Sequence, residues 1–173
     1  MLTRKALTNI LLVALLLFGG GVGIVFVLSL QPSADKEPPS RIIDLSTIPI
    51  DSFIEIEWKS SPVVIFRPGP KTLNGLISLN NQASPPLNPN SVPPAFIYVR
   101  LSTFRGCPLS KTSEGAFAST WPGGWHDPCH FGAWDYSGRW IAGVSGDTKL
   151  PNLLVPDYRF IDGGKSVELY TRG

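Results

Sequence analysis

The chain has 173 residues, room for one ordinary domain and an appendage. A net charge of +2, a pI near 8.6 and the lack of any basic run interleaved with aromatics set nucleic-acid binding aside. Seventeen glycines and seventeen prolines argue against long soluble helices and for short strands joined by turns.

Residues 1–7 carry Arg4 and Lys5. From Thr8 to Leu30 no charged residue occurs, and the next charge is Asp35. A helix of that length covers roughly 30 Å, the thickness of a bilayer's hydrocarbon core, so a transmembrane helix is predicted over 8–30. The flanking charges place residues 1–7 in the cytoplasm and everything after Leu30 outside the inner (plasma) membrane, in the periplasm or its equivalent. The apolar run is too long for a cleaved signal, and QPSAD is a poor cleavage site, so the anchor is expected to be retained. Gly19 to Gly21 are tolerated in lipid. Residues 31–40, QPSADKEPPS, read as a semi-extended polar tether.

From Arg41 the pattern becomes that of strands. Ile42 to Pro49 (IIDLSTIP) and Phe53 to Trp58 (FIEIEW) open the domain, the second alternating apolar and polar. Pro62 to Arg67 (PVVIFR) is an apolar run closed by Pro68-Gly69-Pro70. Ser84 to Pro94 is a loop by composition, and Ala95 to Leu101 another strand. Trp134 to Ala142, turning at Ser137-Gly138, carries a hairpin signal. Short strands are expected over Leu153–Pro156, Tyr158–Ile161 and Ser166–Tyr170, and no long amphipathic helix follows residue 30. Cys107 and Cys129 are the two cysteines, and in an oxidising compartment they are most simply one disulfide. The expected fold class is all-β, with stacked antiparallel sheets or a barrel.

The histidines also number two, and both lie in Gly123-Gly124-Trp125-His126-Asp127-Pro128-Cys129-His130. With the tether 31–35, IIDLSTIP, PVVIFRP, Ser137-Gly138-Arg139 and VPDYRF at 155–160, this stretch resembles the Rieske iron–sulfur subunit of quinol–cytochrome c reductase, the cytochrome bc complex. The resemblance implies a Rieske-type domain over 41–173 with a loop-rich cluster-type subdomain at about 96–145. It also implies cytochrome b and cytochrome c type partners, a membrane lipid environment and a 2Fe–2S cofactor.

The family's two cluster loops have the patterns C-T-H-L-G-C and G-G-W-F-C-P-C-H-G-S. In each, the first cysteine and the histidine hold iron, and the remaining cysteines pair. Here the first loop reads Ser102-Thr103-Phe104-Arg105-Gly106-Cys107, so serine and phenylalanine stand at the ligand positions. In the second loop Asp127 stands at the ligand cysteine, while Cys129 and His130 are kept. Ser102 and Asp127 offer hard oxygens where soft thiolates are wanted, and Phe104 offers no donor. Shifting the first loop to make Cys107 a ligand puts Leu109 at the histidine. Gly132 and Trp134 replace a serine and a tyrosine that donate hydrogen bonds in the family, and Gly143 to Pro151 replaces its proline loop. The implied cluster is therefore not expected here, and Ser102, Phe104, Asp127 and His130 read as vestigial cluster positions.

His126, Asp127 and His130, with Ser102 across the loops, are the donors a replacement metal could use. But His126 and Asp127 are adjacent and point to opposite faces of an extended segment, so no metal is expected. No nucleophile motif, H-E-x-x-H or phosphate-cradling loop occurs, so the chain is expected to be a non-catalytic subunit. An active Rieske subunit, passing electrons from quinol to cytochrome c through an atypical iron–sulfur centre, is the alternative. Trp121, Trp125, Trp134 and Trp140 are candidates for core or for a docking face, with core favoured for Trp125 and Trp140.

Overall fold

A computed structural model describes residues 40–144 and 149–171, together with 4, 5, 8, 9, 12, 13, 15 and 16. Of the predicted transmembrane helix 8–30 and tether 31–40, all but residues 8, 9, 12, 13, 15, 16 and 40 therefore lie outside the described residues. Among the described residues no helix is long and apolar enough to cross a membrane. Two compact units divide the chain, Met1–Lys36 and Glu37–Gly173. Of the first, the described residues are helical and exposed.

The second unit runs β1 (Ser40–Asp44), β2 (Ser52–Trp58), β3 (Ser61–Arg67), α1 (Pro70–Ser78), β4 (Phe96–Val99), β5 (Ser110–Thr112), β6 (Gly124–His126), β7 (Ala133–Asp135), β8 (Tyr158–Ile161) and β9 (Ser166–Tyr170). Three antiparallel three-stranded sheets result, ordered β1-β9-β8, β2-β3-β4 and β5-β6-β7. The β2–β3 hairpin turns on Lys59 and Ser60 at φ 50° and 56°, the left-handed pair that suits the twist of two flanking strands.

The middle sheet explains why PVVIFR reads as an unbroken apolar run. Val63, Ile65 and Ile97 pack with Ile43, Leu45, Trp58, Val167 and Leu169 on one face. Val64, Phe66, Phe96 and Tyr98 pack with Leu109, Trp125, Trp134 and Tyr136 on the other. A strand covered on both faces has no polar side to show. The all-β class holds, with one core on each side of this sheet.

Some details differ from the sequence reading. α1 was not foreseen: it starts with Pro70 at its first turn, where a missing N–H is harmless, and only Leu76 of it is fully buried. IIDLSTIP is a strand only to Asp44; Leu45–Thr47 is a 3-10 turn capped by the Asp44 carboxylate, which accepts from Ser46 N at 2.8 Å. The 134–142 hairpin forms, in irregular shape: Trp134 bridges Trp140, Asp135 N donates to Arg139 O (3.0 Å) and Ile141 N to Ala133 O (3.1 Å). A buried ion pair reinforces it: Arg139 donates to Asp135, and also to Leu76 O (2.7 Å) and Asn80 Oδ1 (2.7 Å). Leu153–Pro156 forms no strand; Leu153 N and Leu154 O bond to single neighbours, Gly138 O and Val99 N. All four candidate tryptophans are core, so the docking-face reading of Trp121 and Trp134 is corrected.

Candidate functional site at the paired loop tips

Two loops meet at the end of the β5-β6-β7 sheet. The first leaves β4 and returns through a bridge between Leu101 and Pro108. Ser102 N donates to Cys107 O (2.8 Å) and Gly106 N to Ser102 O (3.1 Å), with Arg105 and Gly106 left-handed at φ 60° and 68°. The second is the six-residue connection of the β6–β7 hairpin, whose register ends at His126 opposite Ala133. Asp127 N donates to Gly132 O (2.7 Å) and Phe131 N to Asp127 O (2.9 Å).

The Cys107–Cys129 disulfide joins the loops. The frame around it has the form its glycines require. Gly123 is left-handed at φ 94°, and a Cβ there would meet Tyr136 Cε2 at 2.7 Å. Trp125 Nε1 donates to the buried Tyr98 hydroxyl at 2.7 Å.

Asp127 is the hub. Its side chain is fully buried. Oδ1 accepts from Cys129 N at 2.8 Å and His130 N at 3.0 Å, and Oδ2 lies 3.3 Å from His130 Nδ1. The Ser102 hydroxyl, on the other loop, helps hold this carboxyl below the ordinary aspartate range, while Ser102 Oγ accepts from Phe104 N at 3.1 Å. Burial pushes the Asp127 carboxyl up, but Ser102, the two amides and the imidazole outweigh it. The group lies below the ordinary aspartate value.

Phe104 lies edge-on to the His130 ring, with centroids 4.9 Å apart, and Arg105 sits over its face at 5.2 Å. His126 stays apart from the hub. Its ring neighbours Phe117 (5.7 Å) and Phe131 (6.4 Å). The His126, Asp127, His130 donor set is thus not assembled. Cys107 and Cys129 sulfurs and a carboxylate oxygen of Asp127 lie within 4.8 Å of one another, but sulfurs bonded to each other are not thiolate ligands.

The positions of Gly132 and Trp134 are coupled, which sequence alone did not reveal. A Cβ on Gly132 would lie 2.7 Å from Trp134 Cζ3 and 2.8 Å from Leu150 Cδ1. The Trp134 indole fills the space a serine side chain would need, and its Nε1 donates to Pro151 O at 2.9 Å. Thr103 Oγ1 donates to the same carbonyl at 3.0 Å. Of the segment Gly143 to Pro151, residues 145–148 lie outside the described residues.

A binuclear cluster would ask this site for two thiolates and two imidazoles. The four positions supply a hydroxyl, a phenyl ring, a carboxylate and one imidazole. The carboxylate is taken up by the Cys129 and His130 amides, and the hydroxyl accepts from Phe104 N. These residues do not fit the cluster.

No family model matches the chain. It is 26% identical over 163 residues to the ubiquinol-cytochrome c reductase iron-sulfur subunit of Allochromatium vinosum, covering 83% of this chain and 77% of that one. The subunit of the same name from Rickettsia typhi is 30% identical over 145 residues, covering 79% of this chain and 76% of that one. The chain also spans about half the length of a plant relative, the mitochondrial cytochrome b-c1 complex subunit Rieske-3 of Nicotiana tabacum. There the identity is 30% over 145 residues, covering 81% of this chain and 50% of that one. Among solved structures, a chain of a hyperthermophilic respiratory Complex III is similar at 20% identity and a TM-score of 0.45, covering 89% of this chain and 96% of that one.

Proposed function

Because the chain belongs to the family of Rieske iron–sulfur subunits of ubiquinol–cytochrome c reductase, we propose that it is a member without a cluster. Its role is structural or regulatory, in a cytochrome bc-type respiratory assembly. The observation that carries this reading is the engagement of Asp127, whose carboxylate closes its own loop by accepting from the Cys129 and His130 amides. Ser102 and Asp127 stand at the positions of the ligand cysteines, and hard oxygen donors so engaged do not offer iron what it takes from thiolate. Gly132 and Trp134 support the same reading, since packing has taken over the places of groups that tune a cluster.

What the family would need to keep for docking is still here. The disulfide, Gly123 and the Trp125–Tyr98 bond hold the two tips in a fixed shape. His130 is half-buried and still offers an imidazole at the tip, but with no iron behind it a bond to quinol would not become oxidation. We place the chain as a single-pass subunit anchored by residues 8–30, its domain outside the inner membrane and beside cytochrome b and c type subunits.

Affinity purification of the full chain from its own membranes in mild detergent tests this placement. The reading predicts that b-type and c-type haems co-purify and that deleting the gene lowers the yield or stability of the intact haem complex. Recovery of the chain alone, with the haem complex unchanged by the deletion, contradicts it.

A further inference from the structure

We propose that the loop tips conceal a redox-gated site for one borderline divalent cation, with zinc as its natural probe: once the Cys107–Cys129 disulfide is reduced, the two thiolates join Asp127 as a three-donor set. Both sulfurs and an Asp127 oxygen already lie within 4.8 Å of one another. His130 stands outside that group as the partner of the carboxylate, its Nδ1 3.3 Å from Asp127 Oδ2. Two sulfurs and an oxygen, with water in the fourth position, are a donor set that zinc accepts and magnesium or calcium does not.

The gate is reachable and the site does not disperse when it opens. Cys129 is exposed, whereas Cys107 is buried, so an incoming thiolate meets the sulfur of Cys129 first. After reduction the Phe104–His130 ring contact still joins the loops, and Thr103 stays bonded to Pro151 O, the carbonyl that Trp134 of the β6–β7 hairpin also bonds. The Cys129 and His130 amides continue to hold Oδ1, which leaves Oδ2 as the oxygen aimed at the imidazole.

The reaction balances with an external dithiol as reductant. The dithiol gives two electrons and two protons, becomes a disulfide, and leaves Cys107 and Cys129 as thiols. Cation binding then releases those two protons to solvent. The inference rests on the preceding reading in one respect, since Asp127 and His130 must not already be engaged by iron.

The test uses the full chain in detergent under anaerobic conditions, assayed first for iron and acid-labile sulfide, then treated with a dithiol, desalted and titrated with cobalt(II). The expected result is one cobalt per chain after reduction, with a thiolate-to-cobalt charge-transfer band that zinc abolishes, and no such band before reduction. Cys107→Ser with Cys129→Ser removes the band. His130→Ala weakens binding roughly tenfold or more without touching the disulfide, so it decides the matter even if Asp127→Asn fails to fold. A reduced chain that takes up no cobalt, or equal uptake before and after reduction, overturns the proposal. Iron and sulfide in the starting sample would instead overturn the cluster-free reading, so the two failures are distinguishable.

Discussion

At the scale of single residues, Asp127 holds the second loop tip together. A carboxylate in a fully buried position survives only if its charge is met by donors. Here two backbone amides and an imidazole meet it. Because the folded carboxyl titrates below its ordinary value, its contribution to stability is complete above the unfolded value of about 4. That contribution is lost as the pH falls through the lower, folded value. Asp127→Asn is therefore expected to cost roughly 1–2 kcal/mol at neutral pH, where charge-assisted bonds become neutral ones. The substitution should also flatten the loss of stability below about pH 4. Thermal unfolding followed by near-ultraviolet circular dichroism at neutral pH and in acid checks both. A variant that follows the parent's acid profile would show that another group sets it.

At the scale of elements, the β6–β7 hairpin and the segment reaching Pro151 form one packed unit through Trp134. Its indole needs Gly132 to have no side chain, and its N–H ties the hairpin to Pro151. Gly132→Ser is expected to destabilise the domain by about 1–3 kcal/mol through overpacking. Trp134→Tyr in the same chain should recover part of that loss, because contacting residues are not additive. Denaturant midpoints of the two single variants and the double variant give the coupling. Strict additivity would mean that the indole is not what fills the space.

At the scale of the whole molecule, much of the architecture was legible because strand chemistry is local. PVVIFR stood out as an apolar run, FIEIEW as a half-buried strand, and Cys107 and Cys129 as one disulfide. α1 was not read, since it is nine residues long, starts on Pro70 and carries Gly75, although Leu73, Leu76 and Ile77 stand at helical spacing. The hairpin at Trp134 to Ala142 was legible from its turn, but the buried Asp135–Arg139 pair that reinforces it was not. At the site, the loss of cluster donors could be read residue by residue at Ser102, Phe104 and Asp127. The contact between Phe104 and His130 and the exclusion of a side chain at Gly132 could not, because each depends on two segments meeting in space.

The central claim is that the family's binuclear iron centre has no seat here. The measurement that bears on it most directly is iron and acid-labile sulfide, with low-temperature paramagnetic resonance of the dithionite-reduced full chain, after anaerobic purification from its own membranes. The account predicts substoichiometric iron, no labile sulfide and no resonance from a reduced 2Fe–2S centre. Two irons and two sulfides per chain, with such a resonance, would contradict it.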